Sequence, residues 1–194
     1  MIAKIQKFFW FLNTFLLRLR FKKVGFPSYI GKTLSILGGR NISIGSRVRI
    51  FPGLRIEAHD SGKIIIEDNI SFGQNCHIIC SSEFLSICSH TTLSANVFIT
   101  NIDHNYQEIG KHILDQKYLV KTTHIGENCF IGYGAAIQAG TILGKQCVVG
   151  ANSVVRGTFP DYCVIVGSPA RIVKRYNKET NSWEKTDKFG SFIN

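Results

Sequence analysis

The sequence predicts an all-β parallel β-helix with an amphipathic α-helix at its N-terminus, a protruding loop and a short C-terminal extension. Three observations lead there. From residue 125 the chain divides into sixes, IGENCF, IGYGAA, IQAGTI, LGKQCV and VGANSV. Aliphatic residues open successive units at Ile125, Ile131, Ile137, Leu143, Val149 and Val155, while Gly follows at 126, 132, 144 and 150. A small residue returns four places into each unit, at Cys129, Ala135, Thr141, Cys147 and Ser153. Six residues overshoot a helical turn, so no α-helix would hold this register. A coil with three short flat sides holds it, because residues about eighteen apart then stack one strand spacing above each other.

The elements follow in chain order. Residues 1–28 form a basic segment in which Ile2, Ile5, Phe9, Leu12, Leu16 and Leu19 recur at spacings of three and four, one apolar stripe on a helix. Lys4, Lys7, Arg18 and Arg20 fall away from that stripe. The apolar run is too short, and interrupted by Asn13, to span a bilayer comfortably, and no small-residue cleavage site follows it. Two readings stand for this helix: packing on its own domain or a partner subunit, or lying in a membrane interface with Phe8, Trp10 and Phe11 in the boundary and cations on anionic headgroups. The charge pattern bears on both. Eleven of the 23 Lys and Arg precede Glu57, the first acidic residue, so all of the +10 net charge sits in the first 56 residues. These cations join no recognition motif for nucleic acid.

Residues 29–170 are the β-helix. Ile44, Ile50 and Ile56, then Ile66, Phe72 and Ile78, then Ile87, Leu93 and Ile99 keep the spacing with slips between them. The expected stacking puts Ile125 beneath Leu143, Ile131 beneath Val149 and Ile137 beneath Val155, with Gly126 on Gly144 and Gly132 on Gly150 at the corners. Residues 103–123 interrupt the repeat as an arm that opens on Asp103-His104 and carries Tyr106, Lys111, His112, Lys117, Tyr118 and Lys121. Residues 171–194 are the C-terminal extension. The six cysteines lack metal-ligand spacing and read as small buried apolar residues of a reduced compartment. At 194 residues and 44% hydrophobic content the chain can bury a substantial core.

The hexads, the DHNY motif with its arm, and the closing VVGANSVVRGTFPDYCVIVGSPARIVKRY resemble the hexapeptide-repeat acyltransferases. Over residues 29–183 the chain is most similar to the bacterial lipopolysaccharide and O-antigen O-acetyltransferases, relatives of the galactoside and maltose acetyltransferases. The resemblance implies a left-handed β-helix and a homotrimer in which acetyl-CoA, a co-substrate, meets its acceptor at clefts between subunits, with no metal required. It implies a cytoplasmic enzyme, peripheral to the inner membrane if the helix binds lipid, acting on a sugar or a lipid-linked oligosaccharide. His104 matches the family's general base, and imidazole titrates in the range such a base needs. Asp103 either orients that ring or caps the turn. Acceptor contacts carry over to Gln74, Asn75 and His77, with Tyr106 on the arm; for Asn75 a corner role in the backbone is the competing reading. CoA contacts carry over to Tyr133, Gly150, Ala151, Arg156, Ser168, Arg171 and Lys174, the cations suiting phosphate. Phe130 stands where relatives often have Trp. N-acetylation of an amino sugar or nucleotide sugar is the nearest alternative. A γ-carbonic-anhydrase-like zinc site and a non-enzymatic scaffold are alternatives of other classes; the six histidines lack the close pair that the first would need.

Overall fold

Each hexad contributes a strand of two to five residues and a corner, and these short strands align into three sheets of parallel coils along one axis. A computed structural model describes residues 2–187 and 189–193, with side chains from Ile5 onward; the side chains of Ile2, in the expected stripe, and of Lys4, away from it, lie outside the described residues. The first sheet runs Lys23–Val24, Ile42–Ile44, Lys63–Ile66, Phe84–Ile87, Thr123–Ile125, Ile142–Leu143 and Thr158–Phe159. The second runs Tyr29–Ile30, Arg49–Ile50, Ser71–Phe72, Thr92–Leu93, Phe130–Ile131, Val148–Val149 and Cys163–Gly167, and ends in two antiparallel strands, Ala170–Asn177 and Ser182–Lys185. The third runs Ser35–Leu37, Arg55–His59, His77–Ser81, Phe98–Thr100, Ala136–Ile137 and Val154–Val155. Strand pairing therefore starts at Lys23, inside the segment read from sequence as preceding the β-helix.

The register agrees with the eighteen-residue stacking: Ile125 pairs with Leu143, Ile131 with Val149 and Ile137 with Val155. Upstream, Ile44, Ile66 and Ile87 form one column and Ile56, Ile78 and Ile99 another. These side chains are buried and fill the interior. The corner glycines stack as expected: a Cβ on Gly126 would lie 2.4 Å from the Gly144 carbonyl oxygen, and one on Gly132 would meet Ala151 N at 2.6 Å.

Five of the six cysteines are buried, and burial pushes the Cys76 and Cys80 thiols up to about 11. Cys88 departs from that expectation. It is half-buried and faces outward, 3.9 Å from His124 Nε2, because it follows the inward Ile87 where the chain turns out of its strand.

The helix Ile2–Leu17 packs on the first coil through a face other than the stripe. Thr14 and Leu17 are buried, and Trp10 meets Tyr29 and Phe51 at ring-centroid distances of 5.9 and 5.6 Å. Ile5, Phe9, Leu12, Leu16 and Leu19 are exposed, joined by Phe8 and Phe15. The reason is the solenoid's open end, which leaves backbone groups unpaired. Ile30 N donates to Thr14 Oγ1 at 2.8 Å and Asn13 Nδ2 donates to Ile30 O at 3.3 Å, so polar residues must face inward. Trp10 and Phe11 are correspondingly half-buried rather than free for a membrane boundary, Phe11 against Phe15 and Phe26. Arg18 and Arg20 are spent on the carbonyls of Val24 and Ile36. Among the described residues no helix is long and apolar enough to cross a membrane.

Candidate active site

The chain leaves the third sheet after Phe98–Thr100 through a buried asparagine. Asn101 Oδ1 accepts from Ser81 N and its Nδ2 donates to Ser81 O, both at 2.9 Å, tying the exit to the preceding coil. The return is tied as closely: Lys121 N donates to Asn101 O, and Thr123 Oγ1 donates to Thr100 O, each at 2.9 Å. From this root Ile102–His104 pairs antiparallel with Tyr118–Val120, Asp103 opposite Leu119 and His104 opposite Tyr118. The arm thus begins as a hairpin. Beyond it, Gln116 is buried and organises the loop by bonding both Glu108 and the Lys111 carbonyl. His112 Nδ1 accepts from Leu114 N, a capping role. Tyr106, Ile109 and Leu114 stand exposed on the arm, Ile109 at 96%.

Neighbouring strand residues point to opposite sides, which separates Asp103 from His104. Asp103 Oδ2 accepts from Arg156 Nη2 at 2.5 Å, and Arg156 Nε donates to Gln138 Oε1 at 3.0 Å. Asp103 therefore braces the hairpin against the coils instead of orienting the imidazole. His104 is exposed and its ring meets Tyr118 edge-on, centroids 5.0 Å apart. Both nitrogens are open to a substrate in the single chain.

The other sequence-derived residues divide into two groups. His77 lies on the third sheet between Arg55 and Phe98, one coil before the arm's exit. Next to it, Arg55 Nε and Nη2 donate to Glu57 Oε1 and Oε2, each at 2.8 Å, and His59 Nε2 lies 3.3 Å from Glu57 Oε2. The Arg55 bond, with help from Ser35 and His59 and against the effect of burial, holds the Glu57 carboxyl down to about 2. Gln74 and Asn75 are exposed at the corner before His77. Asn75 has φ +55 and its Oδ1 fills the space over Gly53, the conformation of a corner residue.

Toward the C-terminus, exposed Tyr133 accepts a 2.7 Å hydrogen bond at its hydroxyl from Asn96 Nδ2. A Cβ on Gly150 would sit 2.7 Å from Val166 Cγ1, so its smallness serves packing, while Ala151 is exposed. Arg171 and Lys174 lie on Ala170–Asn177, opposite Val166 and Val164, and are exposed along with Ser168. Sequence reasoning missed Asn96, Asn101, Gln138 and the Arg55–Glu57 pair. Gln138 was within reach, since it stands eighteen residues before Arg156.

A cleft of about 520 Å³ opens on the first sheet around Glu67, Cys88, His124 and Lys145. Ser86 Oγ holds His124 Nδ1 at 2.8 Å, and burial with Glu67 pushes the Cys88 thiol up to about 11, away from nucleophile chemistry. Among the described residues no group of three or more His, Cys, Asp or Glu is placed to hold a metal ion.

Residues 122–156 match the family model described as hexapeptide repeat of succinyl-transferase. A putative lipopolysaccharide biosynthesis O-acetyl transferase, WbbJ of Escherichia coli K12, is 38% identical over 172 residues, 84% of this chain and 83% of that protein. This chain belongs to the hexapeptide-repeat acyltransferases. It is an acyltransferase, and more narrowly an acetyltransferase of that family. A dTDP-4-amino-4,6-dideoxy-D-glucose acyltransferase of Escherichia coli is 29% identical, covering 82% of this chain and 84% of its own length. Among solved structures, a variant of the N-acyltransferase AntD from Bacillus cereus, in complex with dTDP and coenzyme A, superposes with a TM-score of 0.72 at 21% identity, covering 86% of this chain and 90% of that one. That likeness establishes the left-handed parallel β-helix.

Proposed function

We propose that this acetyltransferase moves an acetyl group from acetyl-CoA to a sugar hydroxyl in the synthesis of a bacterial surface polysaccharide, with His104 as general base. The observation that carries the reading is the exposed imidazole of His104 at a rigidly tied hairpin root. The unprotonated nitrogen takes the proton of the sugar hydroxyl as its oxygen attacks the thioester carbonyl. The tetrahedral oxyanion collapses, the carbon–sulfur bond breaks, and the imidazolium returns the proton to the CoA thiolate. Alignment supplies much of the rate, which is the service of a braced root. Asp103 contributes by holding Arg156.

Gln74, Asn75, His77 and Tyr106 are proposed to meet the acceptor, a sugar or lipid-linked oligosaccharide. Tyr133, Gly150, Ala151, Arg156, Ser168, Arg171 and Lys174 are proposed to line the CoA path, with Arg171 and Lys174 on its phosphates. The exposed apolar tip at Ile109 and Leu114 supports a homotrimer in which each arm reaches a neighbouring subunit and closes the cleft. We also propose the cytoplasm, at the inner face of the membrane, as the place of the reaction. N-acylation of an amino sugar is the second reading, favoured by the 29% identical relative that acts on a dTDP-amino sugar.

His104→Ala is expected to lower acetyl transfer by about 10²–10⁴-fold with the oligomer intact. An undiminished rate of thioester consumption would defeat the mechanism. Mass spectrometry of the surface glycan with and without the protein identifies the acceptor: an acetyl ester that appears with the protein supports O-transfer, and an acetamide supports the second reading.

A further inference from the structure

The N-terminal helix has two faces, and only one is used. At roughly 100° per residue, Trp10, Asn13, Thr14 and Leu17 point to one side and Ile5, Phe8, Phe9, Leu12, Phe15 and Leu16 to the other, the second set within an arc of roughly 120° and followed by exposed Leu19 in the turn after the helix. The first set caps the solenoid. The second is open: Phe9 is 61% exposed, Leu16 72% and Leu19 74%. A contiguous face of seven large apolar side chains marks an interaction surface.

The charge around this face says what covers it. Exposed Lys22 and Lys23 follow the helix, Lys32, Arg40 and Arg47 are exposed on the coils beneath it, and no acidic residue occurs before Glu57. A second copy presenting the same face would bring like charges together. An anionic lipid leaflet satisfies both features, taking the apolar residues below its headgroups and the cations at its surface.

We infer that the exposed face of the Ile2–Leu17 helix docks the protein on the surface of a membrane containing anionic lipid. The helix lies in the plane of the interface without crossing it, and the solenoid it caps stands on the leaflet. The inference does not depend on the acetyl-transfer reading, because lipid recruitment requires no substrate.

The test is co-sedimentation of the full chain with vesicles of phosphatidylglycerol and phosphatidylethanolamine, and separately with phosphatidylcholine alone, at low and high salt. Recruitment to the anionic vesicles, several-fold weaker on phosphatidylcholine and reduced by salt, is the expected result. The double variant Phe9→Ser, Leu16→Ser changes only exposed side chains and should lose at least about tenfold in vesicle affinity. Lys22→Gln with Lys23→Gln should lose mainly the salt-sensitive part. Wild type that stays in the supernatant with anionic vesicles overturns the inference. So does recruitment unchanged by Phe9→Ser, Leu16→Ser, or a failure to bind vesicles accompanied by loss of the oligomer in that variant, which would make the face a contact between subunits. The comparison of the two lipid compositions on wild type remains decisive should either variant fold poorly.

Discussion

Asp103 and His104 are adjacent in sequence and opposed in space, and the difference decides what each contributes. The Asp103–Arg156 pair is largely open to solvent, so it adds no more than about 1 kcal/mol to stability. Its effect is on position. On the proposed mechanism we expect Asp103→Asn and Arg156→Gln each to lower kcat by roughly 10- to 100-fold with little change in melting temperature, because small displacements of a catalytic group are costly. The double variant should be no slower than the worse single one, since both remove the same contact. If Arg156 served CoA alone, steady-state kinetics would instead show a raised KM for CoA at constant kcat. Glu57 behaves differently. Its carboxyl lies at about 2 in the folded chain, below the ordinary 4.5, so the native state favours the ionised form. That contribution is complete above about 4.5 and is lost as pH falls toward about 2. Denaturation curves across that window should weaken steadily for wild type and less steeply for Glu57→Gln.

Among the elements, the coils follow their period most strictly. Corner packing leaves no room above Gly126, so Gly126→Ala should destabilise by about 1–3 kcal/mol in denaturant titrations. The hairpin is held differently, by side chains that reach the backbone of other coils. Asn101 on Ser81 and Thr123 on Thr100 make its root part of the solenoid even though its sequence breaks the repeat. The helix was only half legible. Its apolar stripe is present in the residues, yet Asn13 and Thr14 face the core because the first coil's backbone needs partners more than Leu12 and Leu16 need burial.

For the whole molecule, the arm and the solenoid are separable. Thr123–Ile125 pairs with Phe84–Ile87 across the insertion, and Phe98–Thr100 pairs with Ala136–Ile137 in the same way. Replacing residues 105–117 by a short linker should therefore leave the melting temperature within a few degrees of wild type, as read by circular dichroism, while acetyl transfer disappears. The residues 125–155 specified their own register, because a narrow interior accepts only an aliphatic side chain at each inward position and only a small residue at each tight corner. DHNY and the arm, where the chemistry is proposed to lie, stood out in the sequence for the same reason: a polar interruption cannot be buried in such a coil. What required the folded chain were the contacts between parts that the count of eighteen does not relate. Asp103 meets Arg156 across 53 residues, the end coil chooses the helix face that caps it, and His104 is left free beside Tyr118. A periodic sequence determines its own stacking, but an insertion resets the count, and the partners of its side chains are then fixed only by where the coils carry them.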